Sequence, residues 1–138
     1  MIAIAAFALL LQASPSGWQE SPSDRGPVLS YGAAANAPLS MRCVRPSIIR
    51  VDLGGLYTGE GREPRRVRAE SGRTGASYPL LSGDNGFTAE IRVTERVMQA
   101  FGQSGRLRFT AANVELAGEA TGPAEVQIVA AYLQRCAR

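Results

Sequence analysis

The sequence predicts an α+β domain made mainly of antiparallel β-sheet, sandwich-like, with a short helix and a C-terminal helix packed on the sheet. Two observations predict the sheet: short stretches of alternating apolar and polar residues recur along the chain, and clusters of Gly, Ser and Pro separate them. A third observation predicts the helices, because apolar residues recur at three- and four-residue steps in two stretches of the C-terminal half. With 138 residues and 45% hydrophobic composition, the chain suits one domain with a modest core.

The chain begins with an apolar run, since residues 1–11 carry no charged side chain and the small residue Ala13 follows them. This pattern is typical of a secretory signal peptide, so we assign residues 1–13 to one and expect a mature chain that begins near Ser14. No Lys or Arg precedes the run, so the amino terminus or an upstream start would supply the positive charge. Because about twenty apolar residues are needed to cross a bilayer, we expect no transmembrane anchor. We therefore predict a periplasmic or secreted protein.

Residues 14–38 are rich in Ser, Pro, Gly and Ala, which predicts a loop-rich N-terminal segment. Within it, residues 27–32 have the composition of a short strand. We expect Trp18 to pack over an edge of the core rather than to bind a ligand. The remaining residues, 39–138, are assigned to a single globular β-rich domain.

Two alternating stretches open this domain and predict an antiparallel hairpin. Leu39, Met41 and Cys43 share one face of the first stretch. After a turn at residues 45–47, apolar residues at positions 49, 51 and 53 alternate with polar ones. The Gly-rich residues 54–61 do not have the spacing of a dinucleotide-binding loop, so we interpret them as a connection.

Further strands are predicted in the middle of the chain. Residues 66–70 alternate, with Val67 and Ala69 pointing inward, and residues 76–81 form the next strand after a turn. Residues 82–86 are a strong turn cluster, and residues 87–93 alternate more regularly than any other stretch. These patterns predict three consecutive strands.

The C-terminal half combines helix and strand signals. Residues 95–103 predict a short helix that Thr94 caps and that Gly102 or Gly105 ends. Residues 106–111 alternate as a strand, after which the apolar phase slips, so we expect a bulge or break near residues 112–113.

The last sixteen residues predict an amphipathic helix. Pro123 suits its first position, with Thr121 or Gly122 as the cap, and Arg135 lies at the negative C-terminal end. The expected apolar stripe consists of Val126, Val129, Ala130, Leu133 and Cys136.

Cys43 and Cys136 are the two cysteines of the chain, and both are expected on inward-facing surfaces. Two thiols in an oxidising compartment normally pair, so we predict a disulfide that pins the C-terminal helix to an early strand. The alternative is a pair of buried free cysteines that behave as small apolar residues. Two widely separated cysteines in a chain without His do not complete a tetrahedral zinc site.

The composition excludes several classes of enzyme. The sequence has neither His nor Lys, and therefore no Ser-His-Asp or Cys-His couple, Ser-Lys dyad or P-loop lysine. Asp52, Glu60 and Glu63 flank the Gly-rich connection, but their Arg-rich surroundings favour the ionised form and disfavour an acid/base pair. Residues 84–86 resemble a fragment of a calcium loop without its other ligands, so we interpret them as a turn. We predict no catalytic residue, no metal and no cofactor.

One charge feature stands out: a cluster of arginines that two glutamates, Glu63 and Glu70, interrupt. Its members are Arg62, Arg65, Arg66, Arg68 and Arg73. Arg66 and Arg68 are expected on the outward face of one strand, where they would bind phosphate or carboxylate groups of an envelope glycan, a lipid head group or an acidic partner. The favoured alternative is an edge strand that charge protects from aggregation. Because acidic residues are interspersed along the chain and the net charge is only +3, we expect no nucleic-acid partner.

Several short features together give the chain a resemblance to small exported alphaproteobacterial proteins of unknown function. They are Trp18, Tyr31-Gly32, Cys43, residues 97–101 before Ser104-Gly105-Arg106, and a C-terminal helix ending at Cys136. The chain is more distantly similar to invasion-associated-locus-B-like exported proteins. A looser likeness, through a disulfide-bonded β domain and Ser71-Gly72 followed by Tyr78, is to small periplasmic inhibitors of lysozyme, from which the terminal helix and the lack of a matching Lys depart.

The resemblance implies an exported domain without an established activity. We therefore predict a non-enzymatic module, binding or structural, in the cell envelope, whose partner is an unknown envelope component or an anionic glycan. The alternative is a periplasmic inhibitor of a cell-wall hydrolase such as lysozyme.

Overall fold

The computed structural model describes residues 17–32, 37–56, 64–83 and 86–138. These residues form two antiparallel sheets and two helices, which confirms the predicted α+β class. The strands are β1 (Trp18–Ser21), β2 (Val28–Tyr31), β3 (Leu39–Arg45), β4 (Ile48–Asp52), β5 (Arg66–Ser71), β6 (Thr74–Pro79), β7 (Leu81–Gly83), β8 (Gly86–Arg92), β9 (Arg106–Ala111) and β10 (Val114–Glu119). The helices are α1 (Arg96–Ser104) and α2 (Pro123–Cys136), and a single 3₁₀ turn spans Gly54–Leu56.

The larger sheet has six strands in the order β1-β2-β3-β4-β8-β7, and the smaller has four in the order β10-β9-β5-β6. Every neighbouring pair is antiparallel. The chain passes from the smaller sheet to the larger one between β6 and β7, where only Leu80 separates the two strands. Buried apolar residues from both sheets and both helices form one continuous core between them.

The segment before Leu39 contributes more structure than the sequence predicts. Its expected short strand is present as β2, but β1 precedes it and pairs Trp18 with Tyr31. Because β2 pairs in turn with β3, both strands belong to the six-stranded sheet rather than to a separate loop-rich segment. The sequence pattern does not predict β1, because this strand has four residues and one large apolar side chain and so shows no alternation.

The bulge or break expected near residues 112–113 is a break, namely the tight turn of a β-hairpin. Ala111 pairs with Val114, and Ala112 occupies the left-handed region with φ = 51°. Paired residues on either side of a two-residue turn share a face, so the inward positions change from odd to even numbers. The hairpin of β5 and β6 repeats this geometry, because Ser71 pairs with Thr74. β6 therefore begins two residues earlier than predicted.

Both helices lie where the sequence predicts them, with small differences at their ends. α1 begins at Arg96 after an extended Glu95, and no side chain caps its N-terminus, so the predicted Thr94 cap is wrong. Gly105 ends it in the left-handed conformation, with φ = 71°. α2 begins at Pro123 as predicted, with Gly122 as its N-cap.

The expected disulfide between Cys43 and Cys136 is present and joins β3 to the last residue of α2, with a Cα–Cα distance of 5.6 Å. Two hydrogen bonds near the disulfide also anchor the C-terminal part of α2. The backbone N–H of Ser47, in the β3–β4 turn, donates a 2.7 Å hydrogen bond to the carbonyl of Cys136. The buried Tyr132, which the predicted apolar stripe omitted, donates from its hydroxyl to the carbonyl of Pro27 at 2.7 Å.

Neither helix of the described chain has the length and apolarity that a bilayer crossing requires. The predicted signal peptide (residues 1–13) lies outside the described residues, as do Arg62 and the turn positions 84 and 85.

Candidate binding surface

Four of the five arginines of the predicted cluster lie within the described residues, and all four are exposed. We call Arg65, Arg66, Arg68 and Arg73 the arginine cluster. Arg66 and Arg68 share the outer face of β5, because the residues that alternate with them point into the core. Arg65 immediately precedes this strand and Arg73 lies in the turn that follows it.

The arginine-bearing strand is not the edge of its sheet, so the interpretation of it as a charged edge strand is wrong. β5 pairs with β9 on one side and with β6 on the other. The edge strand is β6, the next strand of the same hairpin. Alternation along β5 shows which residues face outward but carries no information about which strands lie beside it.

A charged side chain nevertheless protects the edge strand β6 from aggregation, because the Arg66 side chain extends from β5 across β6. Its Nε donates to the hydroxyl of Ser77 at 3.2 Å, and its Nη2 donates to the Ser77 carbonyl at 3.0 Å. Arg68 lies beside it over Gly75, where an added Cβ would meet its Nη2 at 2.6 Å. Two guanidinium groups therefore lie over the backbone of the edge strand.

The other half of the outer face is a network of opposite charges. Arg108 lies 3.4 Å from a carboxylate oxygen of Glu70 and 3.9 Å from one of Glu115, and Arg106 lies 3.7 Å from Glu119. These pairs neutralise β9 and β10, so the basic end of the face is that of β5 and β6. The alternation of residues 106–111 predicts the strand of Arg106 and Arg108 but carries no information that it lies beside β5.

A groove of about 470 Å³ runs between β6 and the first turn of α1. Thr74, Ala76 and Tyr78 of the strand line one side, and Arg96 and Val97 of the helix line the other. Arg73 also lines this groove, so part of the arginine cluster faces it.

Tyr78 and Glu95 form a hydrogen bond in this groove, in which the hydroxyl donates to a carboxylate oxygen at 2.8 Å. Burial raises the pKa of Tyr78, and the hydrogen bond and negative charge of Glu95 raise it further. The phenol therefore remains a neutral donor at physiological pH, and the carboxylate of Glu95 already has a partner. The groove therefore presents two positive charges, those of Arg73 and Arg96, and the negative charge of Glu95.

Of the three carboxylates considered for acid/base chemistry, Asp52 alone lies within the described residues. Asp52 is exposed, and its side chain accepts a 3.1 Å hydrogen bond from the backbone N–H of Gly54, which is a turn-stabilising role. Glu60 and Glu63 lie outside the described residues. Within the described ranges, no group of three or more Cys, Asp and Glu side chains is placed to hold a metal ion.

Comparison with known proteins found no matching protein-family model and no significant match to a curated protein or a solved structure.

Proposed function

We propose that this protein is an exported, non-enzymatic module of the cell envelope that binds an acidic partner through the arginine cluster. The observation that carries the proposal is the placement of Arg66 and Arg68, exposed side by side on one rigid sheet. Guanidinium groups suit such a role because their planar donor array matches carboxylate and phosphate groups.

The available charge of the cluster supports the same proposal. Within the described part of the chain, its guanidinium groups lie near one carboxylate, that of Glu70, 3.8 Å from Arg68. Glu70 also lies beside Arg108, so it is shared between two arginines. Among the described residues, the Arg66 guanidinium has only the neutral Ser77 as its partner. A ligand carboxylate would therefore give Arg66 an ionised acceptor in place of a neutral one, and the hydrogen bond would be stronger.

The disulfide supports the envelope location, because such bonds persist in oxidising compartments such as the periplasm. The apolar residues 1–11 support the same location, since they have the pattern of a signal peptide. Fractionation of producing cells and intact-mass measurement test this half of the proposal. Recovery of a chain that begins near Ser14 from the envelope is expected, and a full-length reduced protein in the cytosol would contradict it.

Binding is tested with two anionic polymers, poly-glutamate and a uronic-acid polysaccharide, and with neutral dextran as the control ligand. We expect both anionic polymers to bind, and their affinity to fall with rising salt because exposed charges are screened. The double variant R66E/R68E should lose most of this binding. Its matched control is R25E/R92E, which reverses two exposed arginines in the β1–β2 connection and at the end of β8. Equal loss in both double variants, or no binding to either anionic polymer, would overturn the proposal.

A further inference from the structure

No described strand pairs with the outer side of β6, so the backbone hydrogen-bonding groups on that side are placed to bind a partner. In an antiparallel pair, successive residues direct their N–H and C=O groups alternately toward and away from the neighbouring strand. The tight turn that pairs Ser71 with Thr74 sets this alternation. Gly75, Ser77 and Pro79 consequently direct their backbone groups away from β5, and of these only Gly75 and Ser77 carry an N–H.

The groove beside this edge gives a ligand room and a second wall. Thr74, Ala76 and Tyr78 contribute side chains along the strand, and Val97 of α1 faces them across the groove. An extended segment laid along β6 would therefore place every second side chain in the groove. Its remaining side chains would lie on the outer face, beside Arg66 and Arg68.

The charges around the edge select the chemistry of such a segment. Arg66 and Arg68 lie over the outer face of β6, where acidic side chains of the segment would meet them. Arg73 and Arg96 line the groove together with Glu95, so the groove is the less basic of the two sides. Because Arg66 occupies the Ser77 carbonyl with a positive charge, the edge resists pairing with the same edge of a second copy. An acidic segment removes that obstacle, because its carboxylates are stronger acceptors for Arg66 than a backbone carbonyl.

We infer that the edge of β6 binds an extended acidic peptide by strand addition. Arg66 binds a carboxylate of the peptide and thereby leaves the Ser77 carbonyl free to pair with the peptide backbone. The six residues of β6 span about 20 Å, so the ligand is a segment of about six residues. The preferred pattern alternates acidic residues on the outer face with small apolar residues in the groove. This inference rests on the proposed function and names the class of partner that the arginine cluster binds.

The test uses the full protein and a fluorescein-labelled hexapeptide of alternating Glu and Val. Fluorescence anisotropy should show saturable binding, and amide NMR should show the largest shifts at Gly75 and Ser77. The hexapeptide of alternating Lys and Val is the charge control and should not bind. Equal binding of the two hexapeptides would overturn the inference.

The variant S77P removes the Ser77 N–H without removing a bond to β5, and we expect it to weaken peptide binding about tenfold. S77A keeps the N–H but lacks the hydroxyl that Arg66 contacts, as S77P does, so it is the matched control: S77P should bind the hexapeptide about tenfold more weakly than S77A. If S77P fails to fold, we measure instead the binding of the unaltered protein to a hexapeptide that is N-methylated at alternate residues. The methylation register that removes the donors facing β6 should abolish binding, while the opposite register should not.

Two outcomes separate this inference from the proposed function. If R66E/R68E abolishes binding of the hexapeptide while S77P and both N-methylated peptides bind normally, strand addition is wrong and the acidic-partner proposal stands. If neither the hexapeptide nor the anionic polymers bind, both are wrong.

Discussion

The indole Nε1 of Trp18 donates a buried 2.7 Å hydrogen bond to the backbone carbonyl of Gly105, 87 residues away. The same carbonyl accepts a 2.9 Å hydrogen bond from the N–H of Ala120. The indole ring lies 4.9 Å from the ring centroid of Phe101 and 5.1 Å from that of Tyr31. One carbonyl at the end of α1 thus binds both the side chain of Trp18 in the first strand and the segment that leads into α2.

Replacing Trp18 with Phe should lower the free energy of unfolding by about 2 to 3 kcal/mol. The change removes the buried hydrogen bond and leaves a cavity where the larger ring was, although the Gly105 carbonyl keeps its bond from Ala120. Urea unfolding followed by circular dichroism measures the effect. A loss below about 0.5 kcal/mol would show that β1 contributes little to the fold.

The disulfide between Cys43 and Cys136 closes a long loop, with 93 residues of sequence separation. Changing both cysteines to Ser should lower the free energy of unfolding by about 2 to 5 kcal/mol, mainly because the unfolded chain regains conformational freedom. Thiol titration of the unfolded, unreduced protein should find no free thiol. A melting temperature that does not respond to reductant would contradict this prediction.

The hydroxyl of Tyr132 joins α2 to β3 and to Pro27, the residue that precedes β2. Besides donating to Pro27, it accepts a 3.3 Å hydrogen bond from the backbone N–H of Cys43. Tyr132→Phe should cost about 1 to 3 kcal/mol, because two backbone groups lose a partner in a partly buried site. Tyr31→Phe removes the same atom from a half-buried ring for which no such bond occurs in the described structure, and it is the matched control. Equal losses in the two variants, measured by urea unfolding, would contradict the role of Tyr132.

Glu90 of β8 bridges the two strands of the β3–β4 hairpin through Arg50 at 2.8 Å and Arg45 at 3.0 Å. The hydrogen bond from Arg50 lowers the pKa of Glu90, and the charge of Arg45 acts in the same direction against partial burial. A lowered folded-state pKa means that this stabilisation is present above the unfolded pKa of about 4.3 and is lost as the pH falls through the folded value.

Glu90→Gln should therefore be less stable than the unaltered protein at pH 7 but equal to it near pH 2. Urea midpoints measured at both pH values provide the test. A deficit of the same size at the two pH values would show that the loss does not come from the charge of Glu90.

Local patterns predicted much of the fold because they report the face on which a residue lies. Phe87, Ala89 and Ile91 alternate and are buried as expected, and the helix that begins at Pro123 carries Cys136 on its buried side. The two cysteines meet because each lies on an inward-facing surface of its own element.

The binding surface depended on tertiary structure, because alternation does not identify the neighbouring strand. The outward position of Arg68 follows from its place between the buried Val67 and Ala69, and Arg66 shares that face because alternate residues of a strand point the same way. Strand order determines three further features of this surface. β6 is an edge strand, Arg66 contacts Ser77, and Glu70 and Glu115 neutralise Arg108. β5 and β9 pair although about forty residues of chain separate them. Pairing between strands so far apart in sequence depends on burial of the shared core and not on a local sequence signal.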